Sequence, residues 1–144
     1  MSYVTALVQL PLVRETGKEQ ITSPEAVARI CADMSELAQE MFHVLMLNSK
    51  NRLIERVPIT IGLVDATLIH PREVFRPAIE YGATGIILVH NHPSGDTQPS
   101  AEDMKITRQL IAAGKIVGIA VMDHVIIGEK NSFLSMNKIR IVQF

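Results

Sequence analysis

The stretch Gly85-Ile86-Ile87-Leu88-Val89 is a short, uninterrupted apolar run. It is followed by an almost wholly polar one, His90-Asn91-His92-Pro93-Ser94-Gly95-Asp96-Thr97-Gln98-Pro99-Ser100-Ala101-Glu102-Asp103. Five apolar residues bounded by turn signals read as a strand buried on both faces. Pro93 and Gly95 turn the chain, and Ser100 opens a helix predicted through about Ala113 and ended by Gly114. Strand, polar loop and helix in that order are the unit of an α/β fold. Upstream, Glu40 to Leu47 and Arg52 to Gly62 read as two strands joined by the turn Asn48-Ser49-Lys50-Asn51, hence a hairpin. Thr22-Ser23-Pro24-Glu25 reads as a helix start, with Thr22 as the capping hydroxyl, and that helix is predicted to about Met34. His70-Pro71-Arg72-Glu73 opens another, through about Tyr81 and stopped by Gly82. Tyr3 to Val13, Val117 to Met122, Val125 to Ile127 and Lys138 to Phe144 are further strand candidates. The expected class is α/β, a mixed sheet flanked by helices, in one domain spanning 1–144.

Composition bounds what such a domain does. A chain of 144 residues buries roughly two-thirds of its unfolded surface and folds without disulfides. With 47% apolar and 20% charged residues it is not a disordered chain. Fourteen basic against fifteen acidic residues give a net charge of −1, which argues against a broad nucleic-acid footprint while leaving room for a local patch. The single cysteine, Cys31, excludes an internal disulfide and a thiolate-rich zinc site. No run approaches the ~18 apolar residues of a membrane helix, and the N-terminus lacks the basic start and small-residue cleavage site of a signal peptide. A cytoplasmic location and no membrane association are the expectation. Exposed strand edges or apolar surface could pair two copies, so a homodimer stays open.

The chemistry is concentrated in the window after Val89. In an extended chain, residues i and i+2 face the same side, so His90 and His92 can grip one ion. Asp103 lies in the first turn of the next helix, where the helix dipole favours a carboxylate. If the loop folds back, Asp103 becomes a third ligand. Two nitrogens and one oxygen suit one zinc per chain, with an open fourth position, which is the catalytic pattern. A hydrolase of this kind also needs a base. Glu40, beside the apolar run Met41-Phe42-His43-Val44-Leu45, is the candidate, and the Ser100 hydroxyl could steady an oxyanion. Simpler readings stand beside these. Ser100 with Asp103 also reads as a plain helix cap, and Glu40 as a solvent-facing strand residue. His70 reads as part of a helix start. His124 reads as a hydrogen-bonded strand-end residue, or as a residue behind a metal ligand. His43 is given no role. Met34, Met41, Met46, Met104 and Met122, like Cys31, read as packing. The letters His-Asn-His are not the nuclease motif of that spelling, whose residues are spread over a hairpin and a helix. Zinc deaminases need a Pro-Cys-x-x-Cys pair that a lone Cys31 cannot provide.

The pattern of an upstream Glu40, then His90-Asn91-His92-Pro93, six residues, Ser100, two residues and Asp103 resembles the JAMM metal motif of JAB/MPN-domain metalloproteases. More narrowly, Leu47 to Ile54, His70 to Phe75, His90 to Asp96 and Asp123 to Gly128 resemble the bacterial RadC-like branch, over nearly the whole chain. The resemblance implies a JAB/MPN-like fold, of the cytidine-deaminase-like type. It also implies zinc held by His90, His92 and Asp103, Glu40 as acid and base, and Ser100 assisting the oxyanion. Asn91 stands where eukaryotic isopeptidases of the superfamily carry Ser or Thr. The implied activity is zinc-dependent hydrolysis of an amide bond in a peptide or protein substrate. The alternative is a DNA-repair-associated or protein-interaction module with little turnover. Longer RadC-like proteins carry an N-terminal helix-hairpin-helix region, for which there is no room before Glu40. The near-neutral charge adds nothing in favour of DNA.

Overall fold

The computed structural model describes residues 19–61 and 69–144. The predicted strand at Tyr3 to Val13, and the end of the second hairpin strand at Gly62, lie outside them. Helix α1 (Pro24–Ile30) is followed by a 3-10 turn (Ala32–Glu36), then β1 (Met41–Leu47), β2 (Leu53–Ile61), α2 (Pro71–Glu80), β3 (Gly85–Asn91), α3 (Ala101–Val117), β4 (Ala120–Ile127) and β5 (Phe133–Ser135). The strands form one sheet in the order β2-β1-β3-β4-β5. β1 runs antiparallel to both β2 and β3, β3 and β4 are parallel, and β5 returns antiparallel to β4. A parallel pair needs a long crossover, usually helical, and α3 supplies it. This is the expected mixed sheet flanked by helices, consistent with a JAB/MPN-like fold.

Both faces of the sheet are covered, so β1 and β3 are buried at every position. Phe42, Val44, Met46, Ile86, Leu88 and Ile126 pack with Val74 and Phe75 of α2 and with Ile106 and Leu110 of α3. Leu45, Leu47, Ile87, Val89, Val125 and Ile127 pack with Val27, Cys31 and Met34 on the α1 side. Truncating a residue such as Leu88, fully buried at the centre, costs about 2–5 kcal/mol.

Five expectations need correction. The cap of α1 is Ser23, not Thr22: the Ser23 side chain accepts from the Ala26 backbone N–H. That helix stops at Ile30, because the chain tightens into the 3-10 turn before reaching Met34. α3 does not stop at Gly114. It runs to Val117 and ends at Gly118, whose φ of 76° only glycine adopts readily. Gly114 serves close packing instead, since a Cβ there would collide with the Ile119 carbonyl. Val117 to Met122 and Val125 to Ile127 are not two strands: Val117 ends α3, and Ala120–Ile127 is one continuous strand, β4. Lys138 to Phe144 is not a strand. The place beside β4 is taken by Phe133–Ser135, and the following residues are held in turns by Ile139 N–H to Ser135 O and Arg140 N–H to Asn137 O.

The continuity of β4 matters for the site. Its register with β3 shifts between the pairs Ile86–Val121 and Ile87–Asp123. Such a bulge re-aims the side chains beyond it. Val121 and His124 are an odd number apart, yet Val121 packs in the α2/α3 core and His124 bonds to Thr107 of α3. Without the extra residue His124 would face α1.

Candidate metal centre

Strand β3 ends at Asn91, so His90 leaves the sheet on the α3 side and His92 begins the loop. The loop is pinned at once: His92 N–H donates to Ile127 O, and Gly95 N–H to His92 O. It closes on α3 through a capping box. Ser100 Oγ accepts from Asp103 N–H at 3.0 Å, and Asp103 Oδ2 accepts from Ser100 N–H at 2.8 Å. The loop therefore does fold back. His90 Nε2 lies 3.2 Å from Asp103 Oδ1, His92 Nε2 lies 3.2 Å from Asp103 Oδ2, and the two imidazole nitrogens are 2.9 Å apart. His90 and Asp103 are buried, and His92 half-buried.

The proton positions follow from the outer partners. His92 Nδ1 stands 2.7 Å from the Asp96 carbonyl, which can only accept, so His92 carries a proton there. His90 Nδ1 is 2.7 Å from His124 Nε2. His124 is completely buried, and burial holds its pKa well below the ordinary value, hence neutral. With a hydrogen on each Nδ1, the two imidazoles can turn their Nε2 lone pairs inward. Two lone pairs and a carboxylate then converge on one point with no donor among them. Such a set fits a cation. A proton can serve in its place: the hydrogen bond with Asp103 raises the His92 pKa. Burial alone would raise the Asp103 pKa, but when a proton takes the place of the cation the imidazoles donate to Asp103, and these hydrogen bonds outweigh burial and hold the carboxyl well below the usual range.

Glu40 precedes β1 rather than lying within it, and it is half-buried. Its backbone is held from behind by the residue between the two histidines. Asn91 Nδ2 donates to Gln39 O at 3.0 Å and Asn91 Oδ1 accepts from Met41 N–H at 2.7 Å, bracketing Glu40. β1 pairs Phe42 with His90, so the line of the register carries Glu40 toward His92, and the charge of Glu40 contributes to the raised His92 pKa. Ser100 is exposed at the mouth of α3, its oxygen already accepting in the cap. The structure thus gathers His90, His92 and Asp103, with Ser100 and Glu40 alongside. His70 is the exposed residue before α2 and takes no part in the cluster.

Sequence reasoning gave no role to Asn91, Thr107 or Arg56, and read His124 as a strand-end residue or as a residue behind a metal ligand. Asn91 carried one available signal: as residue i+1 between the two histidines it must face the other side of β3, toward whatever precedes β1. Arg56 lies on the α1 side. Its Nε donates to His43 Nδ1 at 2.8 Å and its two terminal nitrogens meet the Asp33 carboxylate at 2.8 Å each. Cys31 is packed there too, and burial pushes its thiol up to about 12. Among the described residues no helix is long and apolar enough to cross a membrane.

Comparison with known proteins agrees with the geometry. The family described as RadC-like JAB domain matches residues 21–141. A UPF0758 protein of Caldanaerobacter subterraneus subsp. tengcongensis is 53% identical over 110 residues, covering 76% of this chain and 47% of that protein. A UPF0758 protein of Listeria monocytogenes is 44% identical over 131 residues, 90% of this chain and 58% of the relative. One from Alkaliphilus metalliredigens is 42% identical over 142 residues, 95% and 61% respectively. The chain spans about half the length of the curated relatives it matches. By family match and by similarity along most of its length, this chain belongs to the RadC-like JAB domain family.

Proposed function

We propose that the domain is a zinc-dependent hydrolase of JAMM type that cleaves an amide bond in a peptide or protein. The observation that carries this reading is the convergence of His90 Nε2, His92 Nε2 and the Asp103 carboxylate, whose other hydrogen-bonding positions are already taken. Two nitrogens and an oxygen would hold zinc and leave a position open. Bound zinc would supply Lewis acidity, lowering the pKa of water from 15.7 toward about 7. Glu40, whose flanking backbone groups are held by Asn91, takes a proton from the attacking water and returns it to the leaving amine. Ser100, at the exposed end of α3, has a hydroxyl hydrogen to offer the oxyanion while its oxygen caps the helix.

The test is metal analysis and peptide-library cleavage on protein purified without chelators. Wild type is expected to hold one zinc per chain, Asp103→Ala none, and Glu40→Gln one zinc with no cleavage. Wild-type protein without any divalent metal would sink the metal reading. Zinc-loaded wild type that leaves every amide in the library intact would sink the hydrolase reading and leave a non-catalytic module.

A further inference from the structure

Behind the cluster runs a chain of hydrogen bonds that begins at one of the three residues and ends at another. His90 Nδ1 meets His124 Nε2 at 2.7 Å, His124 Nδ1 meets Thr107 Oγ1 at 2.5 Å, and Thr107 Oγ1 meets the Asp103 carbonyl at 2.6 Å. His90, Thr107 and His124 are at most 1% exposed, so no solvent competes for these bonds. The direction of the chain can be worked out from its far end. A carbonyl oxygen only accepts, so the single hydroxyl hydrogen of Thr107 goes to Asp103 O. Thr107 Oγ1 must then accept from His124, which puts the His124 proton on Nδ1. His124 Nε2 is left as an acceptor, and it takes the hydrogen bond from His90 Nδ1–H. His90 is thereby left with its lone pair at Nε2, aimed at His92 and Asp103.

We propose that Thr107 and His124 are positioning residues that set the tautomer of His90, through a proton order dictated by the backbone carbonyl of Asp103. Two other features serve the same arrangement. The bulge in β4 brings His124 to the α3 face, and Met136 N–H holds the His124 carbonyl at 3.0 Å while Asp123 Oδ1 accepts from His124 N–H at 2.7 Å. Phe42 packs against both rings, with centroids 6.1 Å from His90 and 5.6 Å from His124, so neither can turn over freely. Thr107 and Asp103 are four apart on α3, so the carbonyl that orders the chain belongs to the residue that also presents the carboxylate. The site and the device that prepares it are one rigid unit.

This role rests on reading His90, His92 and Asp103 as metal ligands, but its first readout does not. Imidazole nitrogen NMR on the zinc-free full chain is expected to show His90 and His124 both protonated at Nδ1. Thr107→Val removes the hydroxyl that accepts from His124. It is expected to move the His124 proton to Nε2 and the His90 proton to its Nε2, and to weaken zinc binding by about 10–100-fold in a chelator competition. Thr107→Ser keeps the hydroxyl and is expected to keep the wild-type tautomers and affinity, which separates proton order from mere filling of space. A wild-type His90 protonated at Nε2 overturns the proposal. So does a folded Thr107→Val protein with unchanged tautomers and unchanged zinc affinity. If the wild-type tautomers are as stated but zinc does not bind, the metal reading fails and the proton order stands.

Discussion

Each face of the sheet buries a polar cluster built around a histidine, and the two clusters balance charge in opposite ways. On the α1 face, His43 accepts from Arg56, and Arg56 meets Asp33 with two further nitrogens. That cluster brings its own cation, and the Arg56 side chain is only 2% exposed. On the α3 face, His90, His92 and Asp103 meet with lone pairs and a carboxylate and no arginine or lysine among them. The donors of that cluster point outward, to Asp96 O and His124. A buried group of acceptors is expensive unless a positive charge joins it. The first cluster supplies its own positive charge and reads as structure, although the buried Nε2 of His43 finds no hydrogen-bond partner. The second has the donor set that a bound cation would complete. His content alone does not separate them; the direction of the protons does.

The comparison breaks first on zinc. A ligand present at 1,000 times its Kd stabilises the folded state by about 4 kcal/mol. Wild-type protein is expected to show a gain of that order in thermal unfolding, and His92→Ala to show none. Equal stabilisation of both proteins would mean the ion sits elsewhere. Arg56→Met should do the reverse. It leaves His43 Nδ1 and the Ile30 carbonyl without their donor, at a cost of about 1–3 kcal/mol in urea unfolding, moderated because Asp33 is more than half exposed. Zinc affinity should not move, and a loss there would show that the two faces are coupled. Gly128→Ala probes the loop that carries His92. A Cβ at Gly128 would collide with Ser132 Oγ and lie 2.5 Å from Gly95 O and 2.7 Å from Thr97 Cγ2. Overpacking costs about 1–3 kcal/mol, and part of that should appear as weaker zinc binding rather than as lower stability of the zinc-free fold. Weakening of the fold alone would show that the loop adjusts without moving His92.

The three residues of the candidate metal centre were legible because they lie within fourteen consecutive residues. One strand end, one turn and one capped helix start place them, and each of those has a local signal. The positions that depend on how distant segments dock were not legible. His124 reaches His90 only because β4 lies parallel to β3 and carries a bulge, and neither feature leaves a mark near Asp123-His124. Arg56 reaches Asp33 across a 3-10 turn that the helical pattern of residues 24–34 concealed. The strand expected at Lys138 to Phe144 shows the same limit from the other side. Its Ile139, Ile141 and Val142 suit a sheet, but Phe133–Ser135 already occupies the edge of β4, and Asp123 fastens the turn after it by accepting from Ser135 Oγ–H and Asn137 N–H.

The smallest expected effect concerns acid. In zinc-free protein the two histidines should titrate in opposite directions: His92 above its ordinary value, through its hydrogen bond to Asp103, and His43 down to about 4, because burial and the neighbouring Arg56 disfavour its charged form. The sign of each consequence follows from which state binds the proton more tightly. For His92 that is the folded state, so its contribution is complete below the unfolded value of 6.5 and fades as pH rises through the folded one. For His43 it is the unfolded state, so stability falls as pH drops from 6.5 toward about 4. His124, also lowered by burial, adds to that acid-side fall. His43→Gln keeps an acceptor for Arg56 but cannot take up a proton. It should flatten part of the slope in urea unfolding between pH 6.5 and 4 and leave the rest to His124. An unchanged slope would mean that His43 is not the neutral, arginine-bonded residue that distinguishes the α1 face from the α3 one.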